Sequence, residues 1–264
     1  MRLDFFFASA LGLSVALAAG PASALTMATF NACLGGGAPL GQADQIDGTG
    51  GNAIGAGSGA PYNLEHYDDA IVCVNQHTTD AVVNTAAELL NEIANTASHE
   101  IGHLLGLEHG DGAANSLMNG TYGGVDLGFS TAAEQAVMNA QPAIVQVVFL
   151  DFGLNSSEIP AGNPYLPFAS AGVLAQVGIV GAAAIQAAIN TIVAQISADF
   201  AGPWTSGTTY EFYLDENTAL QAALQANGNL DFSTVLFVVP EPGTAVLVAL
   251  GLAGLVARRR RTAR

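Results

Sequence analysis

The chain has 264 residues, half of them hydrophobic, with 22 acidic residues against six basic ones and a formal charge of −16. It contains no lysine, and its six arginines sit only near the ends, at Arg2, Arg258 to Arg261 and Arg264. A body without fixed cations repels nucleic acid and anionic membrane surfaces, so no nucleic-acid partner is expected; bound metal ions or acidic solvation account for its carboxylates.

Residues 1–24 read as a secretory signal peptide. Arg2 precedes an apolar run from Phe5 to Ala19, and Pro21-Ala22-Ser23-Ala24 supplies small residues for cleavage after Ala24. The exported chain keeps Cys33 and Cys73, which an oxidising compartment permits to pair. Residues 40–59 are rich in glycine, aspartate and asparagine and read as loop. Ala70 to Val74 is a short apolar run suited to a buried strand. Thr78 or Thr79 then caps a helix reaching Leu105, whose apolar positions Val83, Ala86, Leu90, Ile93, Ala97, Ile101 and Leu104 recur at three and four. That stripe seats the helix on a sheet and turns its histidines toward a cleft.

The end of this helix carries the chemistry: His99-Glu100-Ile101-Gly102-His103-Leu104-Leu105-Gly106-Leu107-Glu108-His109. His99 and His103, four apart, share one helical face and can grip one cation. His109 joins them only if the chain reverses after His103, and Gly106 is where a left-handed residue would allow it. Three histidines suit a catalytic zinc, which keeps its fourth position open. Glu100 is placed to take a proton from an attacking water.

The pattern H-E-x-x-H-x-x-G-x-x-H resembles that of the metzincin zinc endopeptidases, and Ser116-Leu117-Met118-Asn119 resembles their Met-turn. The closest likeness is to the matrixin branch. The resemblance implies zinc on His99, His103 and His109, Glu100 as general base, Met118 as a hydrophobic floor, and a protein or peptide substrate. Asp47-Gly48-Thr49-Gly50-Gly51 and Glu65-His66-Tyr67-Asp68-Asp69 are similar to a calcium-wrapping loop of that branch. This implies calcium at Asp47, Asp68 and Asp69, with turn chemistry as the competing reading. A second, structural zinc would need a histidine near Ile54, where Gly55 and Ala56 stand. Cys33 lacks the flanking residues of the branch's latency switch, which favours a disulfide or an unreactive thiol.

Beyond the Met-turn, Thr131-Ala132-Ala133-Glu134 has a capping-box pattern opening a helix to Ala140. Residues 25–141 form the zinc-binding segment. From 143 to 238 the chain reads strand (Ile144 to Phe152), proline-bearing loop, apolar helix (about Ile179 to Phe200), and two strands (Tyr210 to Leu214, Ser233 to Val239). Strand, long helix, strand is how a metzincin catalytic domain begins, upstream of its zinc helix. Only 74 residues separate Ala24 from His99, few for a four- or five-stranded sheet. Residues 143–238 therefore either complete the zinc domain, as a circular permutation, or form an accessory domain. The fold class is α+β, a metzincin-like zincin with a twisted mixed sheet and a zinc-binding helix.

Residues 239–264 close the chain. Pro240-Glu241-Pro242-Gly243 precedes an apolar run from Thr244 to Ala257 and four arginines, which resembles a PEP-CTERM sorting signal read by an exosortase-type enzyme of Gram-negative bacteria. Fourteen helical residues span about 21 Å, short for a ~30 Å hydrocarbon core, so the anchoring is transient. The arginines hold that end in the cytoplasm. An exported zinc endopeptidase, secreted or held at the cell surface after a membrane-anchored stage, is the reading that follows. The alternative is a non-catalytic surface or biofilm-matrix protein stabilised by zinc or calcium.

Overall fold

A computed structural model describes residues 33, 40–43, 69–78, 83–119, 125–141, 143–157, 159, 164–202, 204–228 and 231–240. Residues 1–24, read as a signal peptide, Asp47, Asp68 and the apolar run 244–257 lie outside these residues. The described chain is mixed α and β: strands β1 (Gly41–Ala43), β2 (Ala70–Cys73), β3 (Val145–Asp151), β4 (Tyr165–Pro167), β5 (Thr209–Tyr213) and β6 (Ser233–Pro240) build one twisted mixed sheet. Its order is β1-β2-β6-β3-β5, with β4 added to β6. β2, β6, β3 and β5 run parallel, while β1 lies antiparallel to β2 and β4 antiparallel to β6. Parallel central strands are apolar on both faces, as the runs Ala70–Val72 and Val235–Val238 require.

Alternation divides those side chains between two layers. Ala70, Val72, Val148, Leu150, Val235 and Phe237 face a core shared with helices α1 (Ala86–Leu104) and α4 (Ala182–Phe200). On the other face, Val147 and Phe149 meet Ala219 and Ala223 of α5 (Glu216–Asn227), and Ile71, Leu236 and Val238 surround the disulfide between Cys33 and Cys73. The short helices α2 (Ala132–Asn139) and α3 (Gly172–Gln176) complete the element order.

Strands from both halves of the chain therefore share one sheet: β6, from the C-terminal half, separates β2 from β3. α4 lies along α1, where Gln195 Nε2 donates to Asn91 Oδ1 at 3.1 Å and Ser98 Oγ donates to Asp199 Oδ2 at 2.5 Å. Both bonds join residues about a hundred positions apart, and both fix how α1 sits.

Several boundaries differ from the sequence-based ones. The helix starts later than expected, because a 3-10 turn occupies Val74–Thr78. Its cap is Thr85, not Thr78 or Thr79: Thr85 Oγ1 accepts the Glu88 N–H at 3.2 Å and Glu88 Oε2 accepts the Thr85 N–H at 2.9 Å. Such a reciprocal cap contributes about 1 kcal/mol. The loop expected at 40–59 contains β1, the proline-bearing loop contains β4 and α3, and α5 had no counterpart in the reading of residues 215–232. The last strand runs through Pro240, overlapping the tail placed at 239–264.

Candidate metal centre

α1 delivers His99 and His103 from its last turns and then stops. The Leu107 N–H returns to the Gly102 carbonyl at 2.9 Å and the Gly106 N–H to the His103 carbonyl at 3.0 Å, a six-to-one and five-to-two pair closing the helix. Gly106 takes φ +91°, which a side chain would resist, and this residue turns the chain back toward the helix as the sequence implied. His109 follows on a 3-10 turn, His109–Asp111, and its Nε2 lies 2.9 Å from that of His99 and 3.3 Å from that of His103. The His99 and His103 Nε2 atoms are 3.0 Å apart.

Backbone carbonyls set the rings. His99 Nδ1 donates to the Leu117 carbonyl and His103 Nδ1 to the Leu107 carbonyl, each at 2.7 Å. With Nδ1 protonated, each Nε2 carries a lone pair into the common centre. Three ligand atoms converge there with nothing of the chain between them. Nitrogens on one tetrahedral zinc with ~2.0–2.1 Å bonds stand about 3.3 Å apart, so the observed triangle fits such an ion within a few tenths of an ångström. Burial, the His103 charge and the His109 charge hold the His99 imidazole down at about 3, against the Leu117 carbonyl. The His103 imidazole is also lowered, chiefly by burial. Both rings are therefore neutral and ready to ligate at neutral pH.

Met118 is fully buried on the 3-10 turn Leu117–Asn119, and a Cβ on Gly102 would stand 2.8 Å from its Sδ. Glu134 of α2 joins these parts: its Oε1 accepts the Met118 N–H at 3.0 Å, and its Oε2 the Thr131 N–H at 2.8 Å. Thr131 Oγ1 in turn donates to the Asp111 carbonyl at 2.6 Å. The capping box of α2 was legible in the sequence; its second task, fastening the Met118 turn to the His109 turn, was not.

Glu100 packs against β1. A Cβ on Gly41 would fall 2.7 Å from Glu100 Oε1, so only glycine lets the strand pass this close. Burial pushes the Glu100 carboxyl up to about 8, against the Ala43 N–H that donates to it. Among the described residues β1 is an edge strand, paired on one side with β2. Sequence reading missed Gly41 and Ala43 because three residues inside a glycine-rich stretch carry no strand periodicity.

Of the three aspartates expected at calcium, Asp47 and Asp68 lie outside the described residues. Asp69 is fully buried, and its Oδ1 accepts the Thr234 N–H at 2.9 Å, tying β2 to the start of β6. A further pair had not been anticipated: His77 and Glu92, each 0 % exposed, face one another at 3.6 Å where the turn after β2 meets α1.

Residues 238–261 match the PEP-CTERM protein-sorting motif. The chain is thus exported and carries the mark of an exosortase-type processing enzyme. No curated protein and no solved structure matches it. Among the described residues no helix is long and apolar enough to cross a membrane; the apolar run 244–257 lies outside them.

Proposed function

We propose that this protein is an exported zinc endopeptidase whose domain is a circularly permuted metzincin-like module. The observation that carries the reading is the meeting of three imidazole Nε2 atoms within 3.3 Å; Glu100, next to His99 in the chain, packs against Gly41 of β1. Zinc, when bound, supplies a Lewis acid that polarises a scissile carbonyl and makes water acidic enough to attack near neutral pH. The chain's own residues do the rest. Among the described residues β1 is paired on one side alone, and an extended peptide adding as a strand on the other side would bring its backbone next to Glu100. The Glu100 carboxylate accepts the proton of the attacking water and hands it to the leaving amine. Met118 stays beneath the histidines as apolar support. The order β3–α4–β5 followed by β6 supports the permutation, since it supplies the strand–helix–strand usually found upstream of the zinc helix.

The test is zinc content and casein hydrolysis of the exported protein, with and without Glu100→Gln. Stoichiometric zinc in both forms with at least ~10²-fold slower hydrolysis in the variant is the expected result. Bound metal without hydrolysis in the wild type would transfer the site to a structural role in a surface-matrix protein. Equal hydrolysis in the two forms would remove Glu100 from the mechanism.

A further inference from the structure

α4 ends beside a cavity that the metal centre does not use. The cavity holds about 490 Å³, within the ~300–1,000 Å³ usual for a small-molecule site. It lies between the last turn of α4, the segment 126–129 and α2, and neither Glu100 nor any of the three histidines lines it. Hydrogen bonds within the chain hold its walls. Trp204 Nε1 donates to the Phe200 carbonyl at 2.9 Å, and Asn139 Oδ1 accepts the Thr205 N–H at 2.7 Å, which fastens the chain after α4 to α2. A Cβ on Gly202 would run into the Trp204 ring, so glycine is what lets the indole close on the backbone. Phe129 meets that indole edge-on with ring centroids 6.3 Å apart, and Leu127 and Ala198 extend the apolar surface.

The charge of this cavity has one sign. Asp126 and Asp199 both line it, close enough that the Asp126 charge raises the proton affinity of Asp199. Asp199 also stands in the last turn of α4, at the negative end of the helix dipole. Residues 25–257 contain neither Lys nor Arg, and among the described residues no histidine lines the cavity. With no such partner, and buried besides, Asp199 holds its proton up to about 7. A perturbed carboxyl in a concave site is a mark of binding sites. A bare divalent ion would leave most of the volume and both aromatic rings unused, and two carboxylates supply few of the roughly six or more oxygen donors that calcium takes. An organic cation uses every part: carboxylates for its charge, an aromatic face for cation–π attraction, and apolar wall for its stem. We propose that the cavity binds an alkylammonium ion, with its charged head at Asp126 and Asp199 and its stem against Trp204, Phe129 and Leu127. A free aliphatic amine and a lysine side chain offer the same chemistry, and since this chain has no lysine, the ligand comes from another molecule. This inference is independent of what the three histidines do.

Trp204 is the one tryptophan of the chain, so its fluorescence reports on the cavity directly. The exported protein is titrated at pH 8 with pentylamine, with Nα-acetyl-lysine methylamide and with 1-pentanol as the uncharged control. A saturable change in emission with one or both amines is the expected result, with pentanol at least ~10-fold weaker, the worth of a hydrogen bond between charged groups. The amine that binds more tightly identifies the source, a free amine or the side chain of a peptide. Asp199→Asn should weaken amine binding at least ~10-fold, and Asp126→Asn, on the exposed side, at least ~3-fold. Circular dichroism of both variants should match wild type, and Asp126→Asn, which alters an exposed residue, keeps the test valid if Asp199→Asn misfolds. No saturable change with either amine, pentanol binding as tightly as pentylamine, or wild-type affinity in the folded variants overturns the proposal.

Discussion

Gly112→Ala is the sharpest probe of how the metal centre is assembled. Gly112 closes the 3-10 turn that carries His109, and a Cβ there would stand 2.4 Å from the Met118 carbonyl carbon and 2.5 Å from the Asn119 nitrogen. Carbon atoms in contact rest about 3.5 Å apart, so the His109 turn and the Met-turn must separate by about 1 Å. Both obstacles are backbone, and no side-chain rotation relieves them. Ligand distances tolerate about 0.2 Å, so a displacement several times larger spoils the match between His109 and the two helical histidines. Loss of one good ligand position should weaken metal binding at least ~10-fold, the lower end for disturbances around a metal site. Zinc affinity measured by competition with a chromophoric chelator reads this directly. Gly128→Ala is the control, since a Cβ there meets nothing within 4 Å although the residue lies in the segment that pairs with Leu117. Zinc affinity within twofold of wild type in Gly112→Ala would refute the claim that this contact sets the ligand triangle.

Three further outcomes follow from the same structure. His103→Ala removes the ligand between the other two and should leave no stoichiometric zinc; elemental analysis showing one zinc per chain would place the site elsewhere. Burial, opposed by the Ser98 hydroxyl and reinforced by the Asp126 charge, pushes the Asp199 carboxyl from 3.8 up to about 7. The folded chain thus holds a proton that the unfolded chain releases. This stabilisation is complete below pH 3.8 and is lost as pH rises through about 7. Asp199→Asn should match wild type near pH 4 and melt higher at pH 8, and parallel melting curves across that range would contradict it. For the buried pair, His77→Ala should cost about 1–3 kcal/mol in urea unfolding by leaving the buried Glu92 without its neighbour, while His77→Leu combined with Glu92→Leu should recover most of it. A single variant as stable as wild type would show that the contact between the two side chains contributes nothing to stability.

The sequence by itself determined what depends on local spacing. The histidines at 99 and 103 share a face by helical period, Gly106 reverses the chain because its φ is +91°, and Thr131 with Glu134 caps α2 through reciprocal bonds. The sorting motif was legible for the same reason, its prolines, apolar run and arginines being contiguous. The Thr85–Glu88 cap was just as local, yet the helix start was misplaced because Val74–Thr78 turns as a 3-10 segment. What only the tertiary structure decided depends on contacts across long stretches of chain. Asp199 meets Ser98, Gly41 clears Glu100, Glu134 holds Met118, and β6 inserts between β2 and β3. No period in the sequence encodes these meetings. They arise because two chain segments, neither able to bury its apolar faces alone, close one sheet and one core together.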